Sequence, residues 1–271
     1  MQTHSSQGRT AWTKRMDRAA ELAERNPWAQ QVLAFYSCVL ELQREIYERT
    51  QIQDSPALAN QAGLREALNL DEAARSFPDL VAVVRENGPP KLAEQASRLH
   101  SASGPQIREM LAQWLAKTGS PDDGSSFFAV VILQPQAERL AQTGSFRREG
   151  VAGNQCPHCQ SNPQLAVIRP EGDGGKRLLL CSFCQSEWEF RRILCPSCGE
   201  EHNDNLPRYS AEGIAAVRVE ACDVCKHYLK SIDMTIDGLA VPVVDEIATA
   251  PMDLWAADQG YRKIQLNLMG F

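Results

Sequence analysis

From about Arg9 to Ala141 apolar residues recur three to four positions apart, the period of helices that each bury one face. The segment WAQQVLAFYSCVLELQREIY shows this most clearly, with Val32, Tyr36, Val39 and Ile46 on one stripe. PQIREMLAQWLAKTG repeats it: Pro105 suits a first helical position, Ile107, Leu111, Trp114 and Leu115 share a side, and Gly119 stands just past the end. Breakers at Asn26-Pro27, Asp54-Ser55-Pro56, Pro78, Gly88-Pro89-Pro90, Gly104-Pro105, TGSPDDGSS and Gln134-Pro135 divide this half into about seven helices. FFAVVILQPQAERLA reads either as a buried strand or as a helix kinked or broken before Pro135, and its helical neighbours favour the second.

Between Thr143 and Gln155 the periodicity lapses and glycine accumulates, which marks a boundary. Beyond it, LAVIR, KRLLL, IAAVRVE and YLKSIDMTI are branched or alternate in polarity, as strands do, and helix returns only near DLWAADQG. The expected class is an α+β multidomain chain. Residues 1–150 form an all-α helical bundle, residues 151–193 a first small four-cysteine module, and residues 194–271 a second such module with a carboxyl-terminal helix.

At 271 residues the chain exceeds the usual domain size of ~100–200, so more than one domain is expected. Its longest apolar run, Phe127 to Leu133, falls well short of the ~20 residues of a membrane-spanning helix. The amino-terminal sequence turns charged and amphipathic at once, without an apolar export core, so a cytoplasmic address is expected. Charge is unevenly spread: residues 1–150 carry 17 basic and 18 acidic side chains, residues 151–271 carry 11 and 16, a balance of −5.

Eight of the nine cysteines fall in four pairs: Cys156-Pro-His-Cys159, Cys181-Ser-Phe-Cys184, Cys195-Pro-Ser-Cys198 and Cys222-Asp-Val-Cys225. A Cys-x-x-Cys turn presents two thiolates to one ion, and two such turns complete a tetrahedron. The pairs are separated by 21, 10 and 23 residues, a long-short-long order that suggests two repeated units. The first site then takes Cys156, Cys159, Cys181 and Cys184, and the second Cys195, Cys198, Cys222 and Cys225. Interleaved ligation, first pair with third and second with fourth, is the alternative. Zinc and iron both accept four thiolates, so ligand type does not separate them. Four protein ligands leave no open position for substrate or water, which argues for a structural or electron-holding ion.

Other candidates have plainer readings. His158 and His227 flank pairs whose thiolates already satisfy the ions, so they are expected at the surface or as hydrogen-bond donors to sulfur. Cys38 lies in a helical stripe and behaves as a small hydrophobe. Glu187, Trp188, Arg191 and Arg192 in the connector QSEWEFRRIL form either a binding ridge or, the preferred reading, a salt-bridged joint. Asp253, Trp255 and Tyr261 are expected on an amphipathic helix docked on the core. No nucleophile elbow, phosphate loop or dinucleotide fingerprint occurs, and no catalytic residue or enzyme activity is assigned.

The order of CPHCQSNPQ, GGKRLLLCSFCQSEWEFRRILCPSCG, VEACDVCKHYLKSIDM and VPVVDEIATAPMDLWAADQGYRKIQLNLMG, with a looser NPWAQQVLAFYSCVLELQ upstream, resembles the formate dehydrogenase accessory protein family FdhE. The resemblance implies a cytoplasmic, non-catalytic maturation factor, a specialised chaperone. It would bind the catalytic subunit of a molybdenum- or tungsten-dependent respiratory formate dehydrogenase before export. It also implies rubredoxin-like, zinc-ribbon-like modules whose two ions, each held by four cysteines, are iron, with zinc the alternative. Only Cys198 is followed by glycine, so three turns depart from the Cys-x-x-Cys-Gly form.

Two other functions compete. Rubredoxin-type electron or thiol transfer would use the same cysteines, but a thioredoxin-like motif needs a βαβ setting that these pairs lack. Zinc-ribbon nucleic-acid binding usually shows a basic face, whereas this half is acidic, so no nucleic-acid partner is expected. Self-association is left open.

Overall fold

The computed structural model describes residues 2–51, 63–116, 125–148, 150–151 and 153–271. Its chain forms two compact units, each with its own core. One comprises residues 1–16 and 34–147, and the other residues 17–33 and 148–271. A contiguous division at residue 150 therefore misses one segment, Asp17–Leu33, which belongs with the cysteine-bearing half.

Among the described residues the helical region contains α1 (Gln2–Arg25), α2 (Gln30–Arg49), α3 (Leu70–Arg75), α4 (Phe77–Asn87), α5 (Pro90–Leu99), α6 (Gly104–Ala116) and α7 (Ser125–Ala141). The breakers at Asp54-Ser55-Pro56 and most of TGSPDDGSS lie outside the described residues. In the first unit α4 packs on α5 and α7, and α6 on α3 and α7. Tyr36, Val39 and Ile46 of the expected stripe are buried, as are Ile107 and Leu111. Trp12 meets Tyr47 with ring centroids 5.7 Å apart, and Phe77 meets Phe128 at 6.0 Å.

Helix α7 continues through Pro135 instead of breaking before it. Proline lacks the N–H that would bond the carbonyl four residues back. That carbonyl, on Val131, instead accepts from the Gln43 Nε2 amide at 3.2 Å, and the same amide donates to Gln134 Oε1 at 3.1 Å. A buried side chain of α2 thus replaces the missing backbone donor.

The second unit is built on β1 (Pro163–Glu171), β2 (Gly174–Cys181), β3 (Glu187–Glu189), β4 (Arg208–Ala211), β5 (Ile214–Ala221), β6 (His227–Asp233) and β7 (Arg262–Lys263). All seven join one sheet in the order β3-β2-β1-β6-β5-β4, with β7 beside β6. The pairs are antiparallel except at two places: β1 with β6 (Leu165–Ile168 beside Lys230–Asp233) and β6 with β7. The two cysteine modules therefore share a continuous sheet. Gly172 and Gly213, at φ +56° and +79°, make the turns of the β1-β2 and β4-β5 hairpins.

Helix α8 (Pro242–Ala248) packs on β1 and β6, and α9 (Ala250–Asp258) on β7. Only α9 was expected. Every residue of α8 is buried, including Asp245 and Glu246. Within the same unit Arg18 donates to both carboxylate oxygens of Asp245 and to Asp237. The Trp28 indole donates to the Ala248 carbonyl at 3.0 Å.

Candidate metal centres

Each cysteine turn sits at the mouth of a hairpin. Cys156 and Cys159 precede β1, Cys181 ends β2, and Cys184 leads into β3; Cys195 and Cys198 precede β4, Cys222 follows β5, and Cys225 leads into β6. The local geometry repeats. The residue after the second cysteine is left-handed in every turn: Gln160 at φ +61°, Gln185 at +58°, Gly199 at +81° and Lys226 at +56°. The first cysteine's N–H is bonded to the carbonyl five residues on, from Cys156 to Ser161, Cys181 to Ser186, Cys195 to Glu200 and Cys222 to His227, at 2.8–3.0 Å. Three non-glycine residues accept the strained conformation, so the missing glycines change the cost of the turn and not its shape.

The backbone also turns donors toward sulfur. His158, Phe183 and Ser197 donate their N–H to the Sγ of Cys156, Cys181 and Cys195 at 3.3–3.4 Å. Such bonds favour the anionic form of the thiol.

The structure brings together the sequential quartets and not the interleaved ones. In each, the four sulfurs lie within 4.8 Å of one another. Cys156–Cys184 and Cys159–Cys181 approach to 3.5 and 3.3 Å, and Cys195–Cys225 and Cys198–Cys222 to 3.7 Å. All eight are free thiols, not disulfides. A tetrahedron with metal–sulfur distances of ~2.3 Å has sulfur–sulfur edges of about 3.8 Å, so both quartets could hold a metal ion.

Electrostatics favour a cation there. Burial pushes the thiols of Cys181, Cys195 and Cys222 up. Hydrogen bonding from Cys156, Cys181 and Cys184 brings Cys159 down. For Cys225 burial works upward, but the His227 backbone and imidazole, bonded to its sulfur, bring it to about 6. Four thiolates so close repel one another unless a positive ion lies between them.

The surroundings of the quartets differ. All four sulfur-bearing residues of the first are buried, whereas in the second Cys198 is exposed and Cys225 half-buried. Cys38, half-buried on α2, belongs to neither. His158 and His227 are outside both ligand sets, and His227 is the sulfur donor at Cys225.

The connector between the quartets is a joint. Arg169 holds Glu187 through two hydrogen bonds of 2.8 and 2.6 Å. Buried Trp188 donates to the Gly153 carbonyl at 2.8 Å, and Arg191 pairs with Glu201 at 2.6 Å. Arg192 donates to the Gly175 carbonyl.

Comparison with known proteins locates the same region. Residues 155–192 match the family model described as FdhE, central domain, and residues 179–269 that described as FdhE, C-terminal domain. The chain is 32% identical to a Protein FdhE homolog of Aquifex aeolicus over 94% of both chains. The chain belongs to the FdhE family. A Protein FdhE homolog of Haemophilus influenzae is 27% identical over 94% of this chain and 87% of its own. The fold resembles the crystal structure of the FdhE protein from Pseudomonas aeruginosa, with a TM-score of 0.73, 24% identity and 96% of each chain covered.

The FdhE models also cover a buried charge cluster that sequence reasoning missed. Lys230 of β6 pairs with Glu246 at 3.2 Å and Asp253 at 2.5 Å. Lys263 pairs with Glu246 and with Asp253, the latter at 3.0 Å. Asn267 Nδ2 and the Tyr228 hydroxyl donate to the same two carboxylates at 2.6 and 2.9 Å. Two cations and two anions thus neutralise each other under α8 and α9. Burial works against ionisation of Glu246, but Lys230 and Lys263 bring its pKa down to about 2. The signal was present: a lysine central in an alternating strand and two acids inside an apolar run demand partners when buried. Among the described residues, no helix is long and apolar enough to cross a membrane.

Proposed function

We propose that this protein is a maturation factor that binds the catalytic subunit of a respiratory formate dehydrogenase in the cytoplasm, before export, and is needed for its assembly or activation. Membership of the FdhE family supports this reading, and the pair of four-cysteine clusters is the observation that carries it. Cys156, Cys159, Cys181 and Cys184 hold one ion, and Cys195, Cys198, Cys222 and Cys225 the other, with iron favoured by the resemblance.

Bound ions would crosslink hairpins too small to fold on apolar burial alone. Closed all-cysteine sites suit a holding role rather than turnover, so the protein acts by binding and is not itself an enzyme. Residues 151–193 and 194–271 act as two metal modules, each closed by its own four cysteines.

Deleting the gene in its native host is expected to abolish formate dehydrogenase activity while the subunit is still synthesised. Full activity in the deletion strain overturns the proposal. A tagged copy is expected to retain the catalytic subunit through a salt wash and to lose it when Cys156 and Cys195 are both changed to serine. Recovery of nucleic acid or ribosomal proteins instead would favour the zinc-ribbon reading.

A further inference from the structure

The four cysteine turns share a backbone but not the side chain that stands two residues past their second cysteine. That position is Ser161, Ser186, Glu200 and His227, and in every turn its carbonyl accepts the N–H of the first cysteine. The four side chains therefore start from equivalent places. In the first quartet both are hydroxyls: Ser161 lies 3.3 Å from the Sγ of Cys159, and Ser186 lies 3.3 Å from the Sγ of Cys184. Once those sulfurs are ionised, the hydroxyl is the donor.

In the second quartet the pattern breaks at one turn. His227 turns its imidazole to Cys225. The Glu200 carboxylate instead accepts the N–H of His202 at 2.7 Å, a bond that holds it below the usual carboxylate range. An ionised carboxylate has no proton to give a neighbouring sulfur. Among the described residues, no hydroxyl, imidazole or backbone N–H donates to the Cys198 Sγ, whose partner is the Cys222 Sγ at 3.7 Å.

Cys198 is also the one exposed cysteine of the two quartets, and Ser197 and Gly199 on either side of it are exposed as well. Hydrogen bonds to a thiolate draw charge from it and blunt it as a nucleophile. A thiolate that is open to solvent, lacks such bonds and has a second thiol beside it is the kind that oxidants select.

We propose that Cys198 is a hydroperoxide-modification site, oxidised ahead of the other cysteines of the two quartets and resolved by Cys222 as a disulfide.

The Cys198 thiolate attacks one oxygen of hydrogen peroxide; the sulfur–oxygen bond forms, the oxygen–oxygen bond breaks, and the departing hydroxide takes a proton from solvent to become water. Cys198 is then a sulfenic acid. The Cys222 thiolate attacks that sulfur; the sulfur–sulfur bond forms, the sulfur–oxygen bond breaks, and the second hydroxide is protonated in turn. Two thiolates, one peroxide and two protons thus give one disulfide and two waters, with two electrons passing from sulfur to oxygen. A two-electron oxidant is the electrophile that makes use of the neighbouring thiol, since an alkylating agent leaves it idle. The second quartet loses two of its four ligands, whereas the first, buried and supplied with hydroxyl donors, keeps all of its own.

The test treats the full-length, zinc-loaded protein with limiting hydrogen peroxide, follows released zinc with a chromogenic chelator, and maps the cysteines by alkylation in denaturant and peptide mass spectrometry without reduction. The expected result is a Cys198–Cys222 disulfide, release of one of the two zinc equivalents, and full alkylation of Cys156, Cys159, Cys181 and Cys184. Glu200→Ser, which puts a hydroxyl where the first quartet has one, is expected to slow the reaction severalfold while still binding both zinc equivalents before peroxide is added. The proposal is overturned if the two quartets oxidise at the same rate, if Cys195 or Cys225 is oxidised first, or if Glu200→Ser with both zinc equivalents bound reacts as fast as the parent. A disulfide formed by oxidised glutathione and not by peroxide would assign the site to thiol–disulfide exchange and overturn it too.

Discussion

Arg18 of α1 and Asp245 of α8 are 227 positions apart in sequence, yet the guanidinium spans the carboxylate with hydrogen bonds of 3.1 and 2.6 Å. Both groups are buried, and burial raises the Asp245 pKa in spite of Arg18, so desolvation outweighs the attraction. Breaking such a pair is costlier than replacing it. Arg18→Met or Asp245→Leu alone is expected to destabilise the protein by about 3–5 kcal/mol, while the two together recover most of that loss. Urea denaturation of the four proteins in a double-mutant cycle checks this; equal loss in the single and double variants would contradict it.

The unequal burial of the two quartets predicts an order of metal release. Cys198 is exposed, whereas every member of the first quartet is buried. Under a chelator with a thiol alkylator present, Cys198 and Cys225 should be labelled before Cys156 and Cys181. Peptide mass spectrometry over time reads the order directly, and simultaneous labelling would mean that the quartets open together.

Because the quartets are separate sets, Cys156→Ser is expected to empty the first and spare the second. Metal analysis should fall from two equivalents to one, with Cys195, Cys198, Cys222 and Cys225 still protected from alkylation. Loss of both ions would show that the shared sheet couples them.

Acid should act on the buried charge cluster with a definite sign. The Glu246 pKa is about 2 in the folded protein against 4.5 for the free group. Its contribution, on the order of 3 kcal/mol, is fully present above pH 4.5 and is lost as pH falls toward 2. Glu246→Gln should therefore lower stability at pH 7 and flatten the pH dependence below 4.5. Chemical denaturation at a series of pH values, comparing variant with parent, removes the contribution of acid-released metal common to both. Parallel curves would reject the assignment.

The left-handed residue after each second cysteine is a site for stabilisation. Gln160 is exposed at φ +61°, and glycine there relieves strain of about 1 kcal/mol. Gln160→Gly should raise the denaturation midpoint, and Gly199→Ala, at φ +81°, should lower it by a similar amount. No change in either would mean that the bound ion, not the turn, limits stability.

Much of this was legible in the chain. The four cysteine turns and their pairing follow from spacing, and LAVIR, KRLLL, IAAVRVE and YLKSID became strands because each alternates or is branched where a sheet needs it. Other features depend on partners distant in sequence. Pro135 should end a helix by local rules, and it does not because Gln43 supplies the absent donor. VPVVDEIA has too few residues for a clear helical period, and its acids are explained only by Arg18, Lys230 and Lys263. The union of two modules in one sheet rests on a pairing of residues 165–168 with residues 230–233 that no local pattern signals.

That pairing also has a consequence in time. A ribosome delivers β1, β2 and all four cysteines of the first quartet well before it delivers β6. The nascent first module can bring its four cysteines together while the edge of β1 is still bare, and for that interval it carries the kind of unpaired strand that recruits wrong neighbours. Synthesis of Lys230–Asp233 covers that edge, so a pause in translation between the two modules would prolong the exposure, and an aggregation-prone intermediate should accumulate there first.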